Sequence, residues 1–282
     1  MTTRKQEIRE LLSLSDEQFQ ERAGRRLVVL TDIDALHQKF AESVASEIQE
    51  NNTKGQATKL ILPVGPVGQY PILAGLINER EIDLKKCWFF MMDEHCDDDG
   101  VVLDSKHPLS FRRAFEEHFT SHVDTKKMLS NDQLVFPDHM NLSTLGARIA
   151  AVGGIDTTYG GIGIHGHIAY NEPEANVRES DARIVCLNDF TRTINAIRAE
   201  IGGNLEGHPR KGATLGMRQL LGANRIRLYC RNGIALDWAN TVLRLAVLGK
   251  PGDDYPVTHI RDHQDYVVTT DQNTACQPNY IV

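Results

Sequence analysis

Three short stretches carry the residue types that move protons or hold anions. The run "GGIGIHGHIAYNEPE", residues 160–174, sets His165 and His167 two apart, with Glu172 five residues beyond His167. An imidazole oriented by a carboxylate is a competent base near neutral pH, so His167 with Glu172 reads as a proton-transfer pair. Two other readings stand beside it. His165, His167, His95 and Asp93 form an acceptable donor set for zinc, although no further ligand spacing supports it. A glycine-rich turn can also carry surface histidines that do no chemistry. The run "MMDEHCDDDG" holds five acids from Asp93 to Asp99, most of which read as solvated loop charges. Asp93 and Glu94 differ, because they follow directly on the apolar run "CWFFMM". A carboxylate partly desolvated at a strand end has a raised pKa and can act as a base; a helix cap or turn is the plainer role. In "ILPVGPVGQ", Gly65, Pro66, Val67 and Gly68 could cradle an anion on backbone N–H groups, or supply only the flexible turn between strand and helix. The stretch is neither GxGxxG nor a Walker motif. Val64 and Val67 stand where hydroxyls usually assist phosphate binding.

The elements that must position these stretches follow from periodicity. "RLVVLTD" and "DYVVTTD" are short β-branched runs and read as strands, as do "ATKLILPVGP", "KKCWFFMMDEH" and "RIRLYCRNG". Leu36, Phe40, Val44, Ala45 and Ile48 recur at helical spacing, which predicts an amphipathic helix over 32–52. Further helices are expected in "GQYPILAGLINER", "DSKHPLSFRRAFEEHF", "GATLGMRQLLGA" and "IALDWANTVLRLAVLG". Strands alternating with helices imply a mainly parallel, Rossmann-like sheet covered on both faces, an α/β fold. Residues 1–26 read as an appended helical extension and residues 27–282 as a single α/β domain. In such sheets ligands bind at the carboxyl ends of strands. The glycine turn, the acidic cluster and the histidine cluster all fall there, and that convergence outweighs any one of them.

Composition narrows the function classes. A net charge of −7 argues against a nucleic-acid footprint. Five widely spaced cysteines without a CxxC pair point to a reduced, cytoplasmic protein rather than a disulfide scaffold. The charged N-terminal run lacks the apolar core of a signal peptide, and no apolar stretch is long enough to span a membrane.

Taken in order, "MMDEH", "HPLSF", "GGIGIHGHIAYNEP" and "FTR" resemble the glucosamine-6-phosphate deaminases (isomerases), whose pattern runs MDEY, HPxSY, GxGxDGHIAFNEP and DTR. The similarity covers roughly residues 27–271, and the GHIA-aromatic-NEP string is its most specific part. The related 6-phosphogluconolactonases share the Gly-His pair but usually lack NEP. The resemblance implies a three-layer α/β/α sandwich and a homo-oligomer acting on a small sugar. No organic cofactor is implied, because the substrate carbonyl is the electron sink. By position, Asp93 matches the acid that shuttles a proton between C1 and C2, and His167 the histidine that opens the ring. Glu172 matches the carboxylate supporting that histidine, and Arg192 an arginine that binds the substrate phosphate. Glu94 and the turn at 65–68 join the expected substrate site.

The chain also departs from the pattern. His165 replaces the aspartate before Gly-His, so the tuning of His167 changes. The turn lacks threonine, Gly233 stands where a lysine is expected, and Val185 replaces a lysine of the basic effector pair that Arg183 begins. These departures point to an amino- or keto-sugar derivative without a 6-phosphate, or with an acid group held differently, by Arg192, Arg210 or Lys211. A sugar lactonase using His167 to activate water is the alternative enzyme. A sugar-sensing effector domain is the non-enzymatic one; about 26 residues before the first strand are too few for the DNA-binding unit such regulators carry.

Overall fold

The apolar runs become strands because each of their residues finds a layer to bury against. A computed structural model describes residues 3–233 and 236–282. Its seven-stranded sheet is parallel throughout, in the order β1 (Leu27–Leu30), β10 (Tyr266–Asp271), β9 (Arg225–Cys230), β6 (Thr157–Gly161), β2 (Thr58–Leu62), β3 (Cys87–Met91) and β5 (Leu134–Val135). Successive side chains alternate between faces. Leu60, Leu62, Phe89 and Met91 join one buried cluster with α3 (Ile33–Thr53), α4 (Gln69–Glu79) and α5 (Phe111–His118). Ile61, Phe90, Ile226 and Leu228 join the other, with α2 (Asp16–Ala23), α6 (Leu142–Ala151), α8 (Met217–Leu221) and α9 (Ala239–Leu248). The result is the expected α/β/α layering. Asp32 caps α3, its Oδ1 accepting the Ala35 N–H at 2.8 Å.

From β2 the chain steps outward through β3 to β5, then returns to β6 on the other side of β2 and continues to β9 and β10. The β2–β6 boundary is therefore the topological switch point, where parallel sheets open a crevice for ligands.

Two expectations change. The run "KKCWFFMMDEH" is not one strand. After Met92 it turns into β4 (Asp93–Cys96), which pairs with β8 (Lys211–Thr214) and, through it, β7 (Arg183–Cys186) in a small antiparallel sheet. "GATLGMRQLLGA" is accordingly a strand followed by the short α8, not one helix. Pairing on both sides, with β4 and β7, captures the segment's first half, overriding its helical spacing. The helix expected in "IALDWANTVLRLAVLG" begins only at Ala239, and its residues 234–235 lie outside the described residues.

The N-terminal segment forms two helices, α1 (Arg4–Leu12) and α2, each opened by a capping box, Thr3 with Gln6 and Ser15 with Gln18. Phe19 is fully buried in the core. Arg244 of α9, 1% exposed, reaches the carbonyls of Leu11 and Leu14 at 3.1 and 3.3 Å and that of Ala275, in α10 (Gln272–Ala275), at 3.1 Å. Its guanidinium lies over the Phe19 ring at 4.5 Å. Among the described residues no helix is long and apolar enough to cross a membrane. The five cysteines are free.

Candidate active site

A cavity of about 610 Å³ opens at the carboxyl ends of β2, β3, β6 and β9. Asp93, His167 and Gly65, Pro66, Val67 and Gly68 line it. Three of the expected site segments thus meet in one space.

Asp93 is the first residue past the bend between the two sheets, paired through its backbone with Thr214 of β8. Its side chain is buried, and among the described residues no group hydrogen-bonds its carboxyl. Burial, with the adjacent Glu94 carboxylate, pushes it up to about 8. Glu94, one residue on, points the other way, as strand geometry requires. Its Oε1 accepts the N–H groups of His95 and Phe111 at 2.8 and 2.7 Å. Its Oε2 accepts the Arg112 N–H and the Ser110 hydroxyl at 2.8 and 3.2 Å. Burial raises it and these bonds pull it back. Glu94 therefore holds the start of α5 against β4 and does not line the cavity, contrary to its expected part in substrate binding.

The glycine-rich stretch forms a tight turn. The Gly163 N–H donates to the His167 carbonyl at 2.9 Å, and the Gly166 N–H to the Gly163 carbonyl at 2.8 Å, with Gly166 in the left-handed region at φ +65°. The His167 ring lies directly over Gly163: a Cβ there would sit 1.8 Å from Nε2. Glycine is thus required to seat the imidazole. Burial first, then the nearby His165 and Arg198, push His167 down to about 4, so it is neutral near pH 7. Its Nδ1 is buried without a partner. Gly163→Ala is expected to displace the ring and cut turnover about 10²-fold while leaving the far-UV circular dichroism unchanged; wild-type rates in the variant would show that the ring's seat does not matter.

The expected His167–Glu172 pair does not form. Glu172 Oε2 accepts the Asn188 N–H at 3.0 Å, Oε1 is buried without a partner, and burial raises the carboxyl. Asn188 is also the cap of α7 (Asp189–Arg198), so Glu172 anchors that helix. His165 approaches Asn188 at 3.5 Å and packs on Phe190, with ring centroids 4.8 Å apart. Neither His165 nor Glu172 lines the cavity.

His95 does line it, but both its ring nitrogens are engaged. One faces the Leu109 carbonyl at 2.8 Å and the other the Tyr170 hydroxyl at 2.7 Å. Burial pushes it down to about 4, so Nδ1–H donates to Leu109 and Nε2 accepts from Tyr170. The zinc reading therefore loses His95, and no three of His, Cys, Asp or Glu gather as a metal-ligand group among the described residues.

The cations are not where the sequence placed them. Arg192 is buried, with Nη2 donating to the Leu205 carbonyl and Nη1 3.3 Å from Asp189. Arg210 pairs with Glu206 at 2.7 Å, and Lys211 donates to the Asp98 carbonyl at 2.7 Å. None of the three lines the cavity, whereas Arg198 and Arg231 do. Arg231 follows β9 directly, so the strand-end rule that flagged Asp93 applies equally to it. Arg198 gave no such signal, because its place depends on how α7 packs.

Scanned against protein-family models, the chain matches none. Compared with curated proteins, it is similar to the glucosamine-6-phosphate deaminase of Phocaeicola vulgatus, 31% identical over 254 residues that span 88% of this chain and 91% of the relative. It is also similar to that of a Thermoanaerobacter species, 26% identical over 89% of this chain and 94% of the relative. Among solved structures, a monomeric glucosamine-6-phosphate deaminase superposes with a TM-score of 0.75 at 23% identity, covering 89% of this chain and 98% of the other. A 6-phosphogluconolactonase from Thermotoga maritima gives 0.64 at 17% identity, covering 87% and 100%. These two structures establish the shared fold. With near-complete alignment to the Phocaeicola vulgatus enzyme at that identity, the chain belongs to the glucosamine-6-phosphate deaminase family.

Proposed function

We propose that the protein is an aldose–ketose isomerase/deaminase of amino sugars, acting by ring opening and removal of the C2 proton. The observation that carries this reading is the buried, unpartnered carboxyl of Asp93 sharing one cavity with a neutral imidazole, His167. Neutral His167 takes the anomeric hydroxyl proton and returns one to the ring oxygen, opening the hemiacetal. Ionised Asp93 then removes the C2 proton. That electron pair forms the C1–C2 double bond, and the aldehyde oxygen gains a proton to give an enolamine. Asp93 returns its proton to C1, leaving an imine at C2 whose hydrolysis releases ammonia. Glu172 acts through Asn188, by holding α7 over the site, and not on the sugar.

With Asp93 at about 8, roughly a tenth of the free protein is in the basic form at pH 7. The value of kcat/KM is expected to rise through pH 8 before levelling, with no inflection from His167 between pH 5 and 7. A profile flat from pH 6 to 9 would count against Asp93 as the base. Glucosamine 6-phosphate labelled with deuterium at C2 should yield ketose and ammonia, with deuterium carried to C1 of the ketose. Hydrolysis of a sugar lactone without ketose formation would replace this reading with the lactonase one, which the likeness to the 6-phosphogluconolactonase fold supports.

A further inference from the structure

Three basic side chains gather at one end of the cavity. Arg231 leaves the end of β9, and Arg198 ends α7 with its guanidinium 5.4 Å from the Trp238 ring. Both line the cavity beside the turn at 65–68. Among the described residues neither guanidinium has a carboxylate within 4.0 Å or a hydrogen-bond acceptor. Arg231 Nε is buried without a partner, and Arg231's charge acts unfavourably on Arg198. The third group is His37 of α3. Its ring lies on Gly68, where a Cβ would sit 2.4 Å from the imidazole, and its Nε2 is buried without a partner. Burial first, then Arg231, pushes His37 down.

Two guanidinium groups of the same sign facing one cavity repel each other, and the part-buried Arg231 loses water without gaining a counterion, while Arg198 keeps contact with solvent. Elsewhere this chain gives its arginines acceptors: buried Arg244 has three carbonyls, buried Arg192 has the Leu205 carbonyl and Asp189 at 3.3 Å, and part-exposed Arg225 has Glu47 at 2.7 Å. The arginine pair is the exception, and it adjoins a turn that has no hydroxyls of its own. A fork of N–H donors suits a tetrahedral or planar oxyanion.

We propose that Arg198, Arg231 and His37 form an anion clamp that holds the acid group of the substrate, so that a phosphate or carboxylate on the sugar is a requirement and not a disadvantage. This rests on the amino-sugar reading for the identity of the sugar, but not for the binding of the anion. The clamp takes over from the missing threonine and lysine with residues from α3, α7 and the end of β9. His37 completes it by donating from Nε2 once the anion's charge offsets that of Arg231.

Inorganic phosphate titrated calorimetrically into the full chain tests the clamp without any turnover. Binding should weaken at least tenfold in Arg231→Gln and in Arg198→Gln, and recover partly in Arg231→Lys, with the melting temperature measured for each. Gly68→Ala, which forces His37 aside, should weaken binding less than either arginine variant. In parallel, KM for glucosamine 6-phosphate should rise at least tenfold in Arg231→Gln. If an amino uronic acid binds and phosphate does not, and the arginine variants abolish that binding, the clamp stands with carboxylate as its anion. Phosphate and uronate binding both unchanged in the two arginine variants would overturn it. Intact anion binding with no ketose from any amino sugar would leave the clamp and remove the proposed reaction.

Discussion

Asp93→Asn is expected to cut turnover by roughly 10²–10⁴-fold and, at the same time, to make the protein harder to unfold. Both effects come from the buried carboxyl that nothing in the protein solvates. Its pKa stands near 8 in the folded chain against 3.8 for the unperturbed group. A group raised on folding favours the native state fully below its unfolded pKa, and that contribution is lost as pH climbs through the folded pKa. Wild-type stability from this residue should therefore fall between about pH 4 and pH 8 and be flat above. Asparagine carries no charge at any pH and avoids the loss. The variant's advantage should be negligible at pH 3.5 and grow to several kcal/mol by pH 8, at about 1.4 kcal/mol for each pH unit crossed between the two values. Urea denaturation at a series of pH values, alongside the kinetic assay, reads both effects. An advantage that does not change with pH would mean that the carboxyl is solvated, and the raised base would go with it.

Arg244→Met should lower stability by about 3 kcal/mol or more, since a buried carbonyl left without its donor costs about 1–3 kcal/mol. Methionine fills much of the space but leaves the carbonyls of Leu11, Leu14 and Ala275 without their donor. The stack on Phe19 is lost too. The helices over residues 3–23 should then become the first site cut in limited proteolysis. A loss below 1 kcal/mol would show that α1 and α2 ride on the domain without supporting it. The expected result is the opposite, that residues 3–26 support the same unit as the rest, because Phe19 contributes to the main core.

The parallel sheet was legible because its inner strands are buried on both faces and therefore apolar along most of their length, as in "KLIL" and "CWFFM", while the part-buried edge strand "LVVL" stood out by its β-branched run. The convergence of three segments on the strand ends followed from topology alone. The small antiparallel sheet was not legible. Its strands are "DEHC", "RIVC" and "KGAT", too short to stand out, and "DEHC" exists as a strand because it pairs with "KGAT" across more than a hundred residues. Missing that sheet blurred the acids. Once Asp93 and Glu94 lie on a strand, only one of them can face the cavity, and the other must find work on the far side. The assignment of Glu172 failed for a related reason. Its spacing from His167 is compatible with contact, but the Asn188 N–H at the start of α7 is a competing donor whose position no local pattern reveals. Likewise, Arg192 stood in the expected string, yet Arg198, six residues later, is the arginine that reaches the cavity.

The pairing of β1 with β10, Leu27 opposite Val268, has a consequence for how the chain is made. Emerging from a ribosome, β1 has no partner in any neighbouring strand, because the one it joins is synthesised about 240 residues later. At about 5–20 residues per second, the first strand waits on the order of ten seconds or more with its backbone unpaired. The carbonyls of Leu11 and Leu14 wait nearly as long for Arg244. The layer around β2 and β3 can collapse early, on local contacts with α3 and α4. The N-terminal helices cannot dock until α9 arrives, and the sheet gains its last edge only when β10 does. A nascent chain stalled before β10 should therefore expose "LVVL" to chaperones, and synthesis of β10 should end that exposure.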